Sequence, residues 1–196
     1  MSKILVTGGA GYIGSHTCIE LLNAGHEVVV LDNLSNSSEE ALTRVKALTA
    51  KELDFVEGDI LDSQILDYIF QRHHIDAVIH FAGLKAVGES QKEPLKYFEN
   101  NISGSISLVK AMERAQVFKL VFSSSATVYD EANISPLNED MPTGMPTNNY
   151  GYTKLIVEQL LQKLSIADTR WSIALLRYFN PVGAHKSGQI GEDPQG

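Results

Sequence analysis

One glycine-rich turn constrains this chain more than any other feature. TGGAGYIGSH directly follows an apolar run, and its glycines Gly8, Gly11 and Gly14 have the spacing Gly-x-x-Gly-x-x-Gly. Such a turn between a strand and a helix lets the backbone approach a pyrophosphate, which then faces free N–H groups of the helix. Asp32 ends the next apolar run, where a carboxylate accepts a ribose 2′-hydroxyl and repels a 2′-phosphate. The turn therefore predicts a site for NAD; the plain alternative is a tight turn beside a strand-end carboxylate.

Short apolar, β-branched runs alternate with segments of helical spacing along the chain. Several runs are apolar at consecutive positions, which suits strands covered on both faces of a parallel sheet. Strands alternating with helices imply right-handed crossovers. We therefore predict an α/β fold with a doubly wound parallel sheet, a Rossmann-type NAD-binding fold. The predicted strands are 4–7, 27–31, 55–57, 77–82, 120–123 and 172–176.

Five helices are predicted between these strands. The first covers about 13–23, the fourth about 94–114 and the fifth about 149–167. The second follows Ser37, which has Glu40 three residues on and so indicates a capping box. The third follows Asp62. A proline-rich loop over about 130–148 is long for a compact domain, and such loops tend to be functional or mobile.

A Tyr-x-x-x-Lys pair, Tyr150 and Lys154, begins the last predicted helix. Positions four apart lie about 40° from each other on a helix, whereas Tyr152 and Lys154 are about 200° apart. A phenol is a poor base at neutral pH, and a nearby cation favours its phenolate. Ser125 follows the fifth apolar run, at the carboxyl end of the predicted strand, where its hydroxyl can bind a reacting oxygen. Alone, the pair would be a solvated helix surface and the serines a polar turn.

Five segments together resemble the UDP-glucose 4-epimerases, a family of the extended short-chain dehydrogenase/reductase superfamily: TGGAGYIGSHT, HFAGLKAVGES, FSSSATVY, NYGYTK and WSIALLRYFNPVGAH. The resemblance implies epimerisation at C4 of UDP-glucose and UDP-galactose, in galactose metabolism, by transient hydride transfer to tightly bound NAD. It also implies Tyr150 as base, with Ser125 orienting the oxygen and Lys154 depressing the phenol pKa. Nucleotide-sugar dehydratases carry an acidic pair where this chain has Ala126 and Thr127. Asp130 departs from the glycine that is usual in the epimerases.

The resemblance assigns further contacts, with Asp59 expected at the adenine and Lys85 at the nicotinamide end. Plain alternatives are a strand-end turn for Asp59, core for Phe179 and a solvated helix position for Asn100. The substrate contacts that it implies are Lys85, Ser125, Tyr150 and Asn180. The cofactor contacts that it implies, besides the three glycines and Asp32, are Tyr12, Ile13, Asn33, Leu34, Ser35, Asn36, Ser37, Asp59, Ile60, Phe81, Ala82, Gly83, Leu84, Lys85, Asn100, Ser125, Tyr150, Lys154 and Phe179.

Charge and composition argue against other classes. The net charge is −8, which disfavours nucleic acid as a partner because phosphate contacts need a positive face. No apolar stretch approaches the roughly 20 residues that span a bilayer, and no histidine has metal-ligand spacing with a carboxylate. The only cysteine, Cys18, excludes an internal disulfide. We expect a cytoplasmic protein that binds no membrane and no metal, and the resemblance implies a homodimer formed through the fourth and fifth helices.

Two regions are predicted along the chain. Residues 1–180 form the NAD-binding domain with its catalytic residues, and the polar, turn-forming residues 181–196 begin a substrate-binding region that is largely missing. Two alternatives remain open. One is another nucleotide-sugar epimerase or oxidoreductase, acting on UDP-N-acetylhexosamines or UDP-uronates. The other is a catalytically incompetent NAD-binding fragment.

Overall fold

Six short strands, apolar at consecutive positions, form one parallel sheet in the computed structural model, which describes residues 1–192. The sheet order is β3-β2-β1-β4-β5-β6 and every pairing is parallel. The chain therefore starts in the middle, winds to one edge and then returns to build the other, which confirms the predicted doubly wound sheet. The strands are β1 Lys3–Thr7, β2 Glu27–Asp32, β3 Asp54–Glu57, β4 Ala77–His80, β5 Lys119–Ser125 and β6 Ser172–Tyr178.

Helices connect successive strands and lie on both faces of the sheet. The α-helices are α1 Tyr12–Asn23, α2 Glu39–Thr49, α3 Ser63–Arg72, α4 Val87–Lys92, α5 Pro94–Phe98, α6 Gly104–Arg114 and α7 Asn149–Ala167. A π-helical turn, Glu99–Ser103, separates α5 from α6, and a short 3₁₀ turn, Ala126–Val128, follows β5. Within residues 1–192, no helix combines the length and the apolar character needed to cross a membrane.

Several predicted elements differ from the structure, and β5 and β6 each continue two residues beyond their predicted ends, to Ser125 and Tyr178. The helix predicted over 94–114 is interrupted by the π-helical turn, and helix α4 was not predicted. The strand predicted over 77–82 ends at His80, because the N–H groups of Phe81 and Ala82 both donate to the carbonyl of Thr7 and turn the chain out of the ladder. Ser37 does not cap α2. The cap is Ser38, whose hydroxyl accepts from the N–H of Glu40.

Two apolar clusters pack against opposite faces of the sheet. Successive side chains of a strand point to opposite faces of the sheet. Neighbouring residues of β1 therefore belong to different clusters, Leu5 to the first and Val6 to the second. The first cluster contains residues of α3, α6 and α7. The second contains residues of α1 and α2, including Cys18, which is fully buried. Burial raises the pKa of the Cys18 thiol to about 12.

Strand β6 is covered on one face only. Ile173 and Leu175 pack against the first cluster, whereas Ala174 and Leu176 on the opposite face are exposed. A groove of about 270 Å³ follows this uncovered face across β4, β5 and β6. The sheet therefore presents an apolar strip to solvent along one of its edges.

The segment 181–192 returns from β6 towards the first helices. The hydroxyl of Tyr12 donates to the carbonyl of Gly183 over 2.5 Å, and Arg44 donates to the carbonyl of Gln189 over 2.8 Å. Ile190 is buried in the second cluster. The boundary at residue 180 stays a prediction, and residues 193–196 of the predicted second region lie outside the described residues.

Candidate active site

In the glycine turn between β1 and α1, the side chain of any residue larger than glycine would collide with the neighbouring backbone at Gly8 and Gly14. Gly8 has φ +71°, and a Cβ there would lie 2.6 Å from the backbone nitrogen of Ala82. A Cβ on Gly14 would lie 2.7 Å from the Cα of Gly9. Gly11 precedes α1, and within residues 1–192 no side chain caps this helix. The N–H groups of the first turn, at Tyr12 and Ile13, are therefore free to bind an anion, and the turn fits the pyrophosphate of a dinucleotide.

Asp32 is buried and already oriented by its neighbours. Its Oδ2 accepts from the N–H of Ala10 over 3.0 Å, and its Oδ1 accepts from the N–H of Leu34 and the hydroxyl of Ser37 over 3.0 and 2.8 Å. A carboxylate has about four acceptor positions, so one remains for a ribose hydroxyl. The hydroxyl of Ser37, which was predicted to contact the cofactor, thus helps to orient the carboxylate of Asp32.

The other residues predicted at the adenosine side lie together beyond β2 and β3. Asn33 donates to Asp59 Oδ2 over 2.8 Å, while Asp59 Oδ1 accepts from the N–H of Leu61. Ile60 is buried, and Gly104 of α6 leaves room for its side chain. Ser35 and Asn36 continue the same loop, in which the N–H of Ser35 donates to Asn33. These contacts form one edge of the sheet's central crevice.

Ser125, Tyr150 and Lys154 come together where β5 ends and α7 begins. The Asn148 side chain caps α7 by accepting from the N–H of Gly151, and the N–H of Tyr150 donates to the hydroxyl of Ser90 over 3.2 Å. Ser125 Oγ accepts from the N–H of Thr127 over 3.2 Å and from its hydroxyl over 3.0 Å. These contacts fix the backbone on both sides of the three reactive groups.

Burial governs the protonation of the Tyr–Lys pair. Lys154 Nζ donates to the carbonyl of Ser123 over 2.7 Å and lies 5.9 Å from the centre of the Tyr150 ring. Loss of hydration lowers the pKa of Lys154 to about 8. It also raises the pKa of Tyr150, against the opposing effect of a hydrogen bond with Ser125. In the polypeptide by itself the pKa of Tyr150 is thus raised above its usual value, and its depression by Lys154 stays a prediction.

Tyr152 lies on another side of α7. Its hydroxyl donates to the sulfur of Met145 in the loop before the helix, over 2.8 Å. The helix arithmetic that paired Lys154 with Tyr150 and not with Tyr152 is therefore confirmed.

Asn101 is a site residue that sequence reasoning missed. It is buried in the π-helical turn, where its Oδ1 accepts from the N–H of Leu84 over 2.8 Å and its Nδ2 donates to the Leu84 carbonyl over 3.0 Å. Its amide also donates to the hydroxyl of Thr153 on α7. The predicted Asn100 contacts this amide and holds Asn101 rather than the loop. Two adjacent asparagines inside a helical pattern were the available signal, because asparagine favours local side-chain hydrogen bonds over helix.

Several of the remaining predicted residues lie near Ser125, Tyr150 and Lys154. Phe81 lies 6.5 Å from the ring of Tyr178, and Gly83 leaves the space occupied by Asn101 and Lys154. A groove of about 300 Å³ joins the predicted Phe179 and Asn180 to Ser125. The structure does not bring Lys85 to the three groups.

Lys85 and Phe179 are both exposed. The ammonium of Lys85 lies 3.2 Å from Glu192, and Phe179 is 61% exposed. Their contacts with cofactor or substrate stay predictions. Within residues 1–192, no three His, Cys, Asp or Glu side chains gather in a way that could hold a metal ion.

Sheet order, glycine turn and the grouping of Ser125, Tyr150 and Lys154 define a class of protein. They identify a Rossmann-type dinucleotide-binding protein with the Ser–Tyr–Lys arrangement of the short-chain dehydrogenase/reductases. The site lies beyond the carboxyl ends of the strands, where ligands bind in doubly wound sheets.

The chain belongs to the NAD dependent epimerase/dehydratase family, which it matches over residues 4–193. It is 64% identical over 193 residues to the UDP-glucose 4-epimerase of Bacillus subtilis, covering 98% of this chain and 57% of that protein. It is 59% identical over 196 residues to that of Neisseria meningitidis serogroup B, covering 100% and 58%. The chain therefore spans little more than half the length of these relatives.

Solved structures agree with this assignment. The UDP-glucose 4-epimerase of Bifidobacterium longum, in complex with NAD+ and UDP, superposes with a TM-score of 0.97 at 51% identity, over 100% of this chain and 58% of that one. The enzyme of Stenotrophomonas maltophila, with bound NAD and formylated UDP-arabinopyranose, has a TM-score of 0.97 at 53% identity, with the same coverage.

Proposed function

We propose that this chain is the NAD-binding and catalytic part of a UDP-glucose 4-epimerase, which interconverts UDP-glucose and UDP-galactose. The observation that carries the proposal is the convergence of Ser125, Tyr150 and Lys154 at the same end of the sheet as the glycine turn. The similarity to UDP-glucose 4-epimerases over nearly the whole chain supports the substrate.

In the proposed reaction, Tyr150 is the base for the 4-hydroxyl of the sugar. As a phenolate it accepts the hydroxyl proton, while Ser125 holds the same oxygen by a hydrogen bond. Lys154 uses one of its three N–H donors on the carbonyl of Ser123, and the other two are free for cofactor hydroxyls. NAD, when bound, would supply a reversible hydride acceptor for C4 of the sugar, which would allow inversion at that carbon without net oxidation.

The residues around the glycine turn fit this cofactor. The free N–H groups at the start of α1 suit a pyrophosphate, and the unused acceptor position of Asp32 suits a ribose diol. No lysine or arginine occurs between Asp32 and Ala41 to neutralise a 2′-phosphate. We therefore propose NAD and not NADP as the resident dinucleotide.

The test measures conversion and cofactor state together. The protein is incubated with NAD and UDP-galactose, and UDP-glucose is quantified by chromatography against the full-length B. subtilis enzyme. We expect UDP-glucose without net NADH, at a lower rate than the full-length enzyme because the chain spans 57% of it. Accumulating NADH would indicate an oxidoreductase. If the protein binds NAD but does not convert UDP-galactose, only the proposed NAD site is supported. If it neither binds NAD nor converts UDP-galactose, the proposal is overturned.

The assembly and location predicted from the sequence belong to the same proposal. The complete protein would be a cytoplasmic homodimer joined through the helices from α5 to α7. Leu95 of α5 and Ile166 of α7 support this interface, because both apolar side chains are largely exposed. Sedimentation of the complete protein as a monomer would contradict it.

A further inference from the structure

Glu158 is a buried carboxylate on the catalytic helix that the proposed reaction does not use. Its side chain is 1% exposed, and it follows Lys154 by one helical turn and Tyr150 by two. Residues at these spacings lie on one side of a helix, about 40° apart for each step of four. The three side chains therefore line the side of α7 that faces β5.

The carboxylate of Glu158 joins α7 to two neighbouring strands. The hydroxyl of Ser124 on β5 donates to Oε1. Arg177 on β6 donates from Nε to Oε1 over 3.1 Å and from Nη2 to Oε2 over 3.0 Å. Ser124 directly precedes Ser125, so this contact lies one residue from the hydroxyl proposed to hold the substrate oxygen.

Arg177 extends the connection to the loop before α7. Its guanidinium lies 4.7 Å from the centre of the Tyr129 ring, and Nη1 is 3.5 Å from the carbonyl of Glu139. One cation thus contacts strand, helix and loop on the side of the site opposite to the glycine turn.

We propose that Glu158, held by Ser124 and Arg177, is a positioning residue that sets the register of α7 on β5 and so places Tyr150 and Lys154 against Ser125. The inference rests on the proposed function for its catalytic meaning. A buried ion pair is weak evidence for stability, because desolvation offsets much of the Coulomb attraction. Its directional hydrogen bonds, however, admit only one axial position of the helix.

Two adjacent residues of β5, Ser123 and Ser124, form hydrogen bonds with residues on successive turns of α7. Lys154 reaches the backbone carbonyl of Ser123, and Glu158 reaches the side chain of Ser124. A sliding or rotation of α7 would break both contacts. Because Tyr150 lies one turn before Lys154, the same movement would withdraw its phenol from Ser125.

The test separates register from charge and from stability. Ser124→Ala removes one hydrogen bond and no charge. The double variant Glu158→Leu/Arg177→Met removes both charges and refills the volume with apolar side chains, which is often neutral for stability. Ser165→Ala is the matched control, since among residues 1–192 this α7 hydroxyl bonds only within its own helix, to the carbonyl of Gln162.

Tyr150 is the reporter in each variant. Its phenol is titrated in the ultraviolet as the difference between the variant and the same variant carrying Tyr150→Phe, while denaturant unfolding gives the free energy of unfolding. We expect the Tyr150 pKa to rise by at least about 0.5 unit in Ser124→Ala and in the double variant, because the hydrogen bond with Ser125 that opposes the effect of burial weakens. We expect turnover to fall about tenfold or more, with a smaller loss of NAD affinity, because Lys154 moves while the glycine turn and Asp32 are untouched.

Two results would overturn the inference. One is a wild-type phenol titration in either folded variant. The other is an equal shift in Ser165→Ala, which would mean that any loosening of the helix suffices. The phenol titration needs no substrate, so the register can be judged even if the protein fails to interconvert the two UDP-sugars, a failure that concerns only the proposed function.

Discussion

Lys154 is buried and Tyr150 is half-buried, and loss of hydration moves their pKa values in opposite directions, lowering that of Lys154 to about 8 and raising that of Tyr150. Each shift favours the neutral form, so the resting pair carries little charge above pH 8. The sequence predicted which residues meet, because the spacing of a helix is regular. It could not predict how far burial would outweigh the lysine charge, since hydration depends on the surrounding loop and sheet. Asn101 and Glu158 were not predicted as site residues, because their hydrogen-bond partners are distant in sequence.

Tyr150→Phe retains the ring and removes only the oxygen that we propose accepts the proton. Since general-base contributions are typically 10²–10⁴-fold, we expect the initial rate of UDP-galactose conversion, measured in a version that carries the complete C-terminal domain, to fall by about that factor or more. NAD affinity should remain, because the glycine turn and Asp32 are untouched. Tyr152→Phe is the control, as its hydroxyl contacts Met145 and not Ser125. Equal loss in both variants would contradict the assignment.

Asp32→Asn tests the choice of dinucleotide. We expect the wild type to bind NAD at least about tenfold more tightly than NADP, because a 2′-phosphate would meet the buried carboxylate. Asparagine removes that repulsion and also weakens the contact with the N–H of Ala10. Both affinities should then be low and similar when titrated by calorimetry. A wild type with equal affinities would show that Asp32 does not face the ribose.

At the scale of whole elements, buried polar contacts tie the segments together. The Ser105 hydroxyl donates to the carbonyl of Asn101 and so accepts from His80 Nε2, leaving Nδ1 to accept from Thr7. One imidazole thus joins β1, β4 and α6.

The spacing of hydrophobic residues in the sequence predicted the order and type of most helices and strands. It failed over 94–114, where Gly104 packs on Ile60 within an interrupted helix, because packing of that kind leaves no periodic signal.

His80 makes the fold sensitive to acid. Burial lowers its pKa from 6.5 to about 3, so between these values the unfolded chain binds a proton that the folded chain does not. The free energy of unfolding therefore falls as the pH decreases through this window. His80→Gln lacks the titrating group but can donate and accept. We expect the stability advantage of the wild type over this variant to shrink by about 3 kcal/mol from pH 6.5 to pH 4, measured by urea unfolding. A difference independent of pH would contradict this.

On the scale of the whole molecule, the two faces of the sheet are unequally covered. One face is packed by three helices across its width, and the other leaves the strip along β4, β5 and β6 open to solvent. The chain also spans 57% of the length of its B. subtilis relative. Contiguous exposed apolar surface favours association, so behaviour in solution should depend on this strip more than on isolated exposed side chains elsewhere.

Leu176→Gln tests the strip directly. Leu176 is 41% exposed on the open face of β6, and a polar side chain there should reduce concentration-dependent association in sedimentation velocity. Ile134→Gln, at a position that is 83% exposed in the loop before α7, is the matched control, because it lies outside both the strip and the proposed dimer interface. An equal reduction of association in both variants would contradict a specific role of the strip.

The rate at which a thiol reagent labels Cys18 reports how often α1 leaves the sheet. Cys18 is the only thiol of the chain, it is buried against the sheet, and its pKa of about 12 leaves almost no thiolate at neutral pH. A thiol reagent can modify it only during the intervals in which α1 leaves the sheet, so the labelling rate counts those openings. A ligand on the glycine turn must be released before each opening. NAD at 100 times its dissociation constant should therefore slow labelling about a hundredfold, while UDP alone should leave the rate unchanged.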